Sequence, residues 1–417
     1  MSAASLASRR SVKNVEQRTS HAALSQDVSE TPAPPIRSRS SRLDAIVVPA
    51  SRPASCLKPA IKLSALLGVQ LVVLCSKQTN GKQVADRVST SPGARALIVE
   101  IPEKWSHPKF PTRTSDQVFK RANADRDSDL SAKRNVALVL ARLHGWNKIV
   151  FVDDDVTLSR TDNVARLAGQ LDRYQVAGMT VWDFPDNSVV CHARRDAGLT
   201  QDVFLTGAVL GVHCNNLPLS FFPDIYNEDW FFFAREAASR QLRKVGKATQ
   251  TEYDPYASPD RARCEEFGDL LAEGLFALIG QVDPSVRFRQ QVQAADAAYW
   301  FRFIEARHDV ITETMTLLGD VLERKGDNGR GSAALASLAA AQHQLDLIAP
   351  DDCVNFVDAW QDDLEEWQTF SSGVNNVGST RDAMDFLQLS TWTRAEFGDA
   401  ASQSNGASGR IRSFAPH

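Results

Sequence analysis

The sequence predicts an α/β fold, a mixed and mainly parallel sheet flanked by helices, followed by a helical C-terminal region. Two observations carry this. From Asp44 to about residue 152, short apolar runs alternate with helix-like stretches, and each run is apolar throughout, as strands buried on both faces are. Beyond about residue 260 the apolar spacing becomes helical and stays so.

The first strand is AIVV (45–48), ending at Pro49. A helical stretch from Leu57 to Leu67 leads to VQLVVLC (69–75), and ALIVEI (96–101) is the third strand. A polar loop from Glu103 to Asp129 follows, long enough for a lid or for a disordered connection. The next helix starts near Ser131, a good N-cap, carries Val136, Val139, Leu140 and Leu143 as its apolar stripe, and stops at Gly145. KIVFV (148–152) is the fourth strand. VAGMTVWDF (176–184), SVVCHA (188–193) and VFLTGAVLGVHC (203–214) read as further strands, partly antiparallel. In the C-terminal region, Val310, Ile311, Leu317, Leu318, Val321 and Leu322 recur at helical spacing, as do Val357, Trp360, Leu364 and Trp367. The linker KGDNGRGS (325–332) separates these helices.

Residues 1–42 are rich in Ser, Arg, Ala and Pro, with little to bury, and read as a disordered arm. The core region then spans 43–260, the helical region 261–395, and a second disordered tail 396–417.

A net charge of -4 gives no general attraction to nucleic acid or anionic membrane, so an anionic ligand needs a local site. No apolar run approaches the roughly 20 residues that cross a bilayer. The N-terminal arginines lack the apolar stretch of a secretory signal. Six cysteines lie far apart without a CxxC pair, which reads as reduced thiols, disfavours a zinc site and points to the cytoplasm.

Parallel sheets place ligands outside the carboxyl ends of their strands, so functional residues are expected just after 48, 75, 101 and 152. IVFVDDDVTL (149–158) meets that expectation. Along extended backbone, alternation points Asp153 and Asp155 to one side. Two carboxylates there make a hard oxygen site for Mg²⁺ or Mn²⁺, which can neutralise a diphosphate leaving group. The plainer reading is that these aspartates cap a turn, but three in a row repel one another unless a cation sits among them.

The helix after the long loop carries Lys133 and Arg134 in its first turn, where the helix dipole already supplies positive charge. Such cations suit a bound anion, and together with the free N–H groups they make a diphosphate clamp. Pointing both side chains to solvent is the alternative. Further on, Glu228 and Asp229 sit between aromatic runs in FFPDIYNEDWFFFAR (221–235). A carboxylate flanked by apolar bulk can work as a general base, although helix N-termini also favour acids.

With these pieces in order, the stretch from Asp44 to Gly246 resembles the GT-A class of nucleotide-sugar glycosyltransferases, particularly the inverting, family-2-like bacterial enzymes. IVVPAS (46–51) looks like the first strand and nucleotide-facing loop of that family. SAKRNVAL (131–138) resembles its helix start beside the donor, VDDDV (152–156) its D-x-D metal motif, FLTGAVLGV (204–212) its acceptor-side strand, and NEDWFFFAR (227–235) its Glu-Asp segment. The resemblance implies donor contacts at Pro49, Ser51, Arg52, Lys133, Arg134, Asn135, Asp153 and Asp154. It also implies metal ligation by Asp153 and Asp155, and a base at Asp229 or Glu228. It implies a nucleotide-diphosphate sugar donor, Mn²⁺ or Mg²⁺, and a hydroxyl acceptor.

Many relatives carry an aspartate after the second strand that reads the nucleobase. This chain has Cys75-Ser76-Lys77 there, which leaves the base open. A third metal ligand would fall to Tyr253 or Asp254, while His308 reads as a packed histidine. The sugar, the acceptor and the oligomeric state are not encoded in any motif.

Three other readings compete. DDDVT (153–157) satisfies the D-x-D-x-T pattern of haloacid-dehalogenase-like phosphatases, with Thr180 and Lys244 as its remaining candidates. A non-catalytic nucleotide-sugar-binding domain is another, although it has no need of clustered carboxylates. A nucleotidyltransferase needs a Gly-rich basic loop after the first strand, and PASRPAS (49–55) has no glycine.

Overall fold

The computed structural model describes residues 21–35, 38–184, 188–201, 203–327 and 329–399. Its first half runs β1 (Ser25–Asp27), β2 (Ala45–Ala50), α1 (Lys58–Leu67), β3 (Gln70–Cys75), α2 (Gly81–Ser89), β4 (Arg95–Glu100), α3 (Leu130–Leu143) and β5 (Lys148–Val152). The two-residue β6 (Val156–Thr157), α4 (Thr161–Gln170), β7 (Val176–Val181), α5 (Val189–Asp196), β8 (Val209–His213), α6 (Glu228–Ala238) and β9 (Leu242–Gln250) follow. Then come α7 (Pro259–Gln281), α8 (Phe288–Gln293), α9 (Ala297–Lys325), α10 (Arg330–Leu345), α11 (Pro350–Ser372), α12 (Thr380–Phe386) and β10 (Trp392–Glu396).

The sheet order is β1-β9-β7-β8-β5-β2-β3-β4-β10, with β6 paired to β9 off this path. Neighbours are parallel except on either side of β8 and at β10. Strand alternation divides the apolar residues between two cores. Val47, Val72, Leu97 and Phe151 face one side, and Val48, Val73, Ile98 and Val150 face the other. Helices α1, α2 and α4 cover the second face, with Ile61, Val84, Val88 and Leu167 buried against it.

The first face is covered by α3 and by the helices beyond Pro259. Phe267, Trp300, Trp360 and Trp367 share one apolar core with the sheet, so the helical region does not form a layer of its own. The chain returns to the sheet at β10, which pairs antiparallel with β4 from Trp392 against Val99.

Three local expectations change. SVVCHA is not a strand. Ser188 accepts the Cys191 N–H as an N-cap and Glu265 accepts the Val189 N–H at 2.8 Å, so α5 starts where two valines suggest β structure. Ser131 does not cap α3; it lies inside the first turn and donates to the Pro223 carbonyl at 2.7 Å. Residues 21–35 are ordered, although composition assigns them to a disordered arm. Strand β1 adds in parallel to β9, and His21, Leu24 and Val28 are buried. A borrowed sheet edge needs few apolar side chains, which composition does not register. Residues 1–20, 36–37 and 400–417 of the expected arm and tail lie outside the described residues.

The loop from Glu103 to Asp129 is pinned rather than lid-like. Asp363 of α11, fully buried, accepts the N–H groups of Arg113 and Thr114 at 3.1 and 2.8 Å and the Thr114 hydroxyl at 2.9 Å. Trp105, His107 and Phe110 pack with Trp367, Phe370 and Phe386. Among the described residues no helix is long and apolar enough to cross a membrane, and all six cysteines are free.

Two predictions follow from this packing. Asp363→Ala should lower unfolding stability by about 2 kcal/mol, because it orphans buried N–H groups, and should speed amide exchange at Arg113 and Thr114. A wild-type urea midpoint would show that the loop is held elsewhere. Burial lowers the pKa of His21 to about 4, against a partly offsetting attraction from Asp269, so this imidazole is neutral at pH 7 beside Glu273 at 3.4 Å. The unfolded chain takes up that proton below about pH 6.5 while the folded chain waits until near 4, so stability falls as pH drops through this window. His21→Phe should flatten the pH dependence of stability there; an unchanged profile would remove His21 as a contributor.

Candidate active site

The carboxyl ends of β2, β3, β5 and β9 and the entry to antiparallel β8 meet on one edge of the sheet. They enclose a cleft of about 320 Å³. Of the four expected positions, those after 48, 75 and 152 contribute to it through Pro49, Ser51, Arg52, Lys77 and Asp153–Asp155. The segment just after 101 does not, because it turns into the aromatic cluster around His107.

The acidic triplet is a turn, not extended backbone. The Val156 N–H returns to the Asp153 carbonyl at 3.1 Å, and the Asp153 N–H donates to the Ala208 carbonyl at 3.0 Å. Alternation therefore does not set the directions, yet all three side chains line the cleft. Asp154 is taken up by the loop after β2, accepting the Ser51 and Arg52 N–H groups at 2.8 and 2.9 Å and the Arg52 guanidinium. Its carboxylate shapes the loop expected to face the nucleotide. Asp155 accepts from Arg52 Nη2 at 2.8 Å and from Gln250 Nε2 at 3.0 Å. Burial opposes the charge on Arg52, but Asp155 and Asp154 outweigh it and hold the guanidinium above its ordinary pKa.

Among the described residues no three or more His, Cys, Asp or Glu side chains form a metal cluster. Mg²⁺ and Mn²⁺ commonly use one or two protein carboxylates and take the rest of their shell from water and phosphate. The oxygen donors of Asp153 and Asp155 fit that demand. Asp155 is paired with Arg52, whose side chain is 46% exposed, and Asp153 with Arg134.

The two cations at the start of α3 are buried. Lys133 Nζ donates to the Ala50 carbonyl at 3.0 Å and to Ser76 Oγ at 2.9 Å and pairs with Asp129 at 3.1 Å. Burial lowers its pKa against the pull of Asp129. Lys133 still lines the cleft. Arg134 is not a free anion clamp. Its guanidinium is tied to Glu228 and lies 3.1 Å from Asp153. It rests on Gly207, where any Cβ would lie 2.3 Å from Arg134 Nη1, so only glycine admits it. Asn135 leaves the predicted donor set altogether. Its amide bonds the Phe222 carbonyl at 2.8 Å and N–H at 2.9 Å, a structural clamp inside the fold.

Glu228 and Asp229 begin α6 and are 4% and 7% exposed. The expected surroundings of apolar bulk are replaced by polar partners. Glu228 is held by Arg134, and Asp229 accepts the Gly207 N–H and, at 2.9 Å, the Trp230 N–H. Both carboxylates open into the same cleft as the acidic turn.

Of the proposed third metal ligands, Tyr253 lines the cleft and Asp254 does not. His308 pairs with Asp346 at 3.4 Å away from it. Thr180 is buried in the sheet and Lys244 pairs with Asp27 at 3.0 Å, so the phosphatase constellation does not assemble. Sequence reasoning missed Thr206, Gln250, Arg261, Asp269 and Glu273, which also line the cleft. A single polar residue at a strand end or on a long helix carries no local signal.

No protein-family model matches the chain, and no curated protein does. Among solved structures, the chain is similar to the mannosyltransferase PcManGT from Pyrobaculum calidifontis, in complex with GDP-Man and Mn²⁺. The identity is 16%, the TM-score 0.44, and the match covers 88% of this chain and 96% of that one. A likeness of that strength leaves the function to be argued from the cleft.

Proposed function

We propose that the protein is a GT-A type glycosyltransferase that moves a sugar from a nucleotide-diphosphate donor to an acceptor hydroxyl, with inversion at the anomeric carbon. The observation that carries this reading is the meeting of the acidic turn Asp153–Asp155 and the acidic pair Glu228–Asp229 in one cleft, with Arg52 and Lys133 beside them. Diphosphate departure needs positive charge at one end, and hydroxyl attack needs a proton acceptor at the other.

Asp153 and Asp155 would hold a Mg²⁺ or Mn²⁺ ion, which when bound supplies positive charge to the departing diphosphate. Arg52 and Lys133 add positive charge to the diphosphate from the loop and helix sides. Asp229 accepts the proton of the attacking hydroxyl. Glu228 is the weaker candidate, because its carboxylate is committed to Arg134. Arg134 acts as a fixed charge that keeps Asp153 and Glu228 in place. The six free cysteines suit work in the cytoplasm.

Thermal shift against UDP-, GDP-, TDP- and CDP-sugars, with and without Mn²⁺, should show one nucleotide family stabilising the protein only when metal is present. At a hundredfold excess over Kd that linkage is worth about 2.7 kcal/mol, and Asp155→Ala should abolish it. Absence of any metal-dependent shift in the wild-type protein would sink the reading. Asp229→Asn should bind donor within about twofold of wild type and lose about 10²- to 10⁴-fold in turnover. Turnover at the wild-type rate would move the base elsewhere, and a product of retained configuration would overturn direct displacement.

A further inference from the structure

Helix α7 touches the cleft from outside the segment that carries the acidic motifs. We propose that Asp269 of α7 is a positioning residue for the Glu228–Asp229 pair, and that Arg307 of α9 acts through it. The inference rests on the catalytic reading of that pair.

Asn227, immediately before α6, has φ 61°, in the left-handed region, and its side chain makes no capping bond. The Asn227 amide donates instead to Asp269 Oδ1 at 3.1 Å. The other oxygen, Oδ2, accepts from Ser188 Oγ at 2.8 Å and from Arg307 Nη2 at 2.6 Å. Arg307 is 3% exposed and also grips Glu266 with two bonds, at 2.9 and 3.0 Å. A buried carboxylate with three donors, one of them charged, is rigid.

An independent contact fixes the same point. Gly268 packs against the Tyr226 carbonyl so closely that a Cβ would lie 2.3 Å from that oxygen. The backbone of α7 therefore abuts the turn that launches α6. Without a side-chain cap of its own, the first turn of α6 is held between α7 on one side and Arg134 and the Gly207 N–H on the other. The donor-side groups Arg52, Asp153 and Asp155 sit on loops after β2 and β5 that Asp269 does not touch. Asp269 reaches Asp153 only indirectly, through Glu228 and Arg134, so loosening it should disturb the base more than the donor site, and a misplacement of about 1 Å costs on the order of 10²-fold in rate.

The Gly207 N–H bonds the Asp229 carboxylate, and the Trp230 N–H is shared between that carboxylate and the Asn227 carbonyl at 3.0 Å, so amide exchange at the two reads the position of the carboxylate and of the turn before it without any assay of activity. In Asp269→Asn, NMR should show exchange at Gly207 and Trp230 faster by about tenfold or more, with Val150 and Phe151 of β5 unchanged. Turnover should fall by about 10²-fold, while Kd for Mn²⁺ plus the sugar nucleotide that stabilises wild type stays within about twofold. Wild-type exchange at both amides would overturn the proposal, and so would equal losses in donor binding and turnover. If exchange quickens but no sugar nucleotide binds the wild-type protein, the positioning role stands and the glycosyl-transfer reading falls. Asn227→Gly tolerates the left-handed backbone and deletes only the amide link. If Asp269→Asn does not fold, that variant decides by the same readouts.

Discussion

The buried guanidinium of Arg134 organises this molecule. A charge with 2% of its side chain exposed is affordable only when paired and hydrogen-bonded, and Arg134 meets that condition by drawing three segments together. Asp153 comes from the turn after β5, Glu228 from the start of α6, and Gly207 from the approach to β8. Burial opposes its charge, but Asp153, Glu228 and Asp229 more than compensate and hold its pKa above the ordinary value. The two acidic motifs, about 75 residues apart in sequence, share one cleft because they share one cation.

The same turn of α3 reaches the other side of the site. Lys133 ties the ends of β2 and β3 together through Ala50 and Ser76. Two adjacent cations at a helix N-terminus work against the helix dipole, and the sequence flags them as needing an anion. The anions turn out to belong largely to the protein, namely Asp129, Asp153 and Glu228. Both side chains line the cleft while being held by these carboxylates, a commitment that adjacent positions in a sequence do not disclose.

The C-terminal helices are part of the site's frame. They complete the apolar face of the sheet, with Trp300, Trp360 and Trp367 fully buried, and they pin the 103–129 loop through Asp363. Through α7 they press on the turn that begins α6. A helical region without a recognisable motif thereby sets the geometry of one that has several.

Local pattern alone determined the alternating strands and helices, the helical last third and the place of the acidic triplet beyond β5, because buried strands and amphipathic helices leave their period in the residues themselves. It also marked Glu228, Asp229, Lys133 and Arg134 as residues with unusual neighbours. Tertiary structure decided what each does. Val189 and Val190 became helical because Ser188 and Glu265 satisfy their helix start. Asn135 and Asp154 went to backbone N–H and C=O groups because those groups, once buried, must be paired. Residues 21–35 gained order from a sheet edge more than two hundred residues away in the chain. Periodicity is a property of neighbours in sequence, whereas the pairing of buried charge and backbone depends on which distant segments the fold brings within about 3 Å.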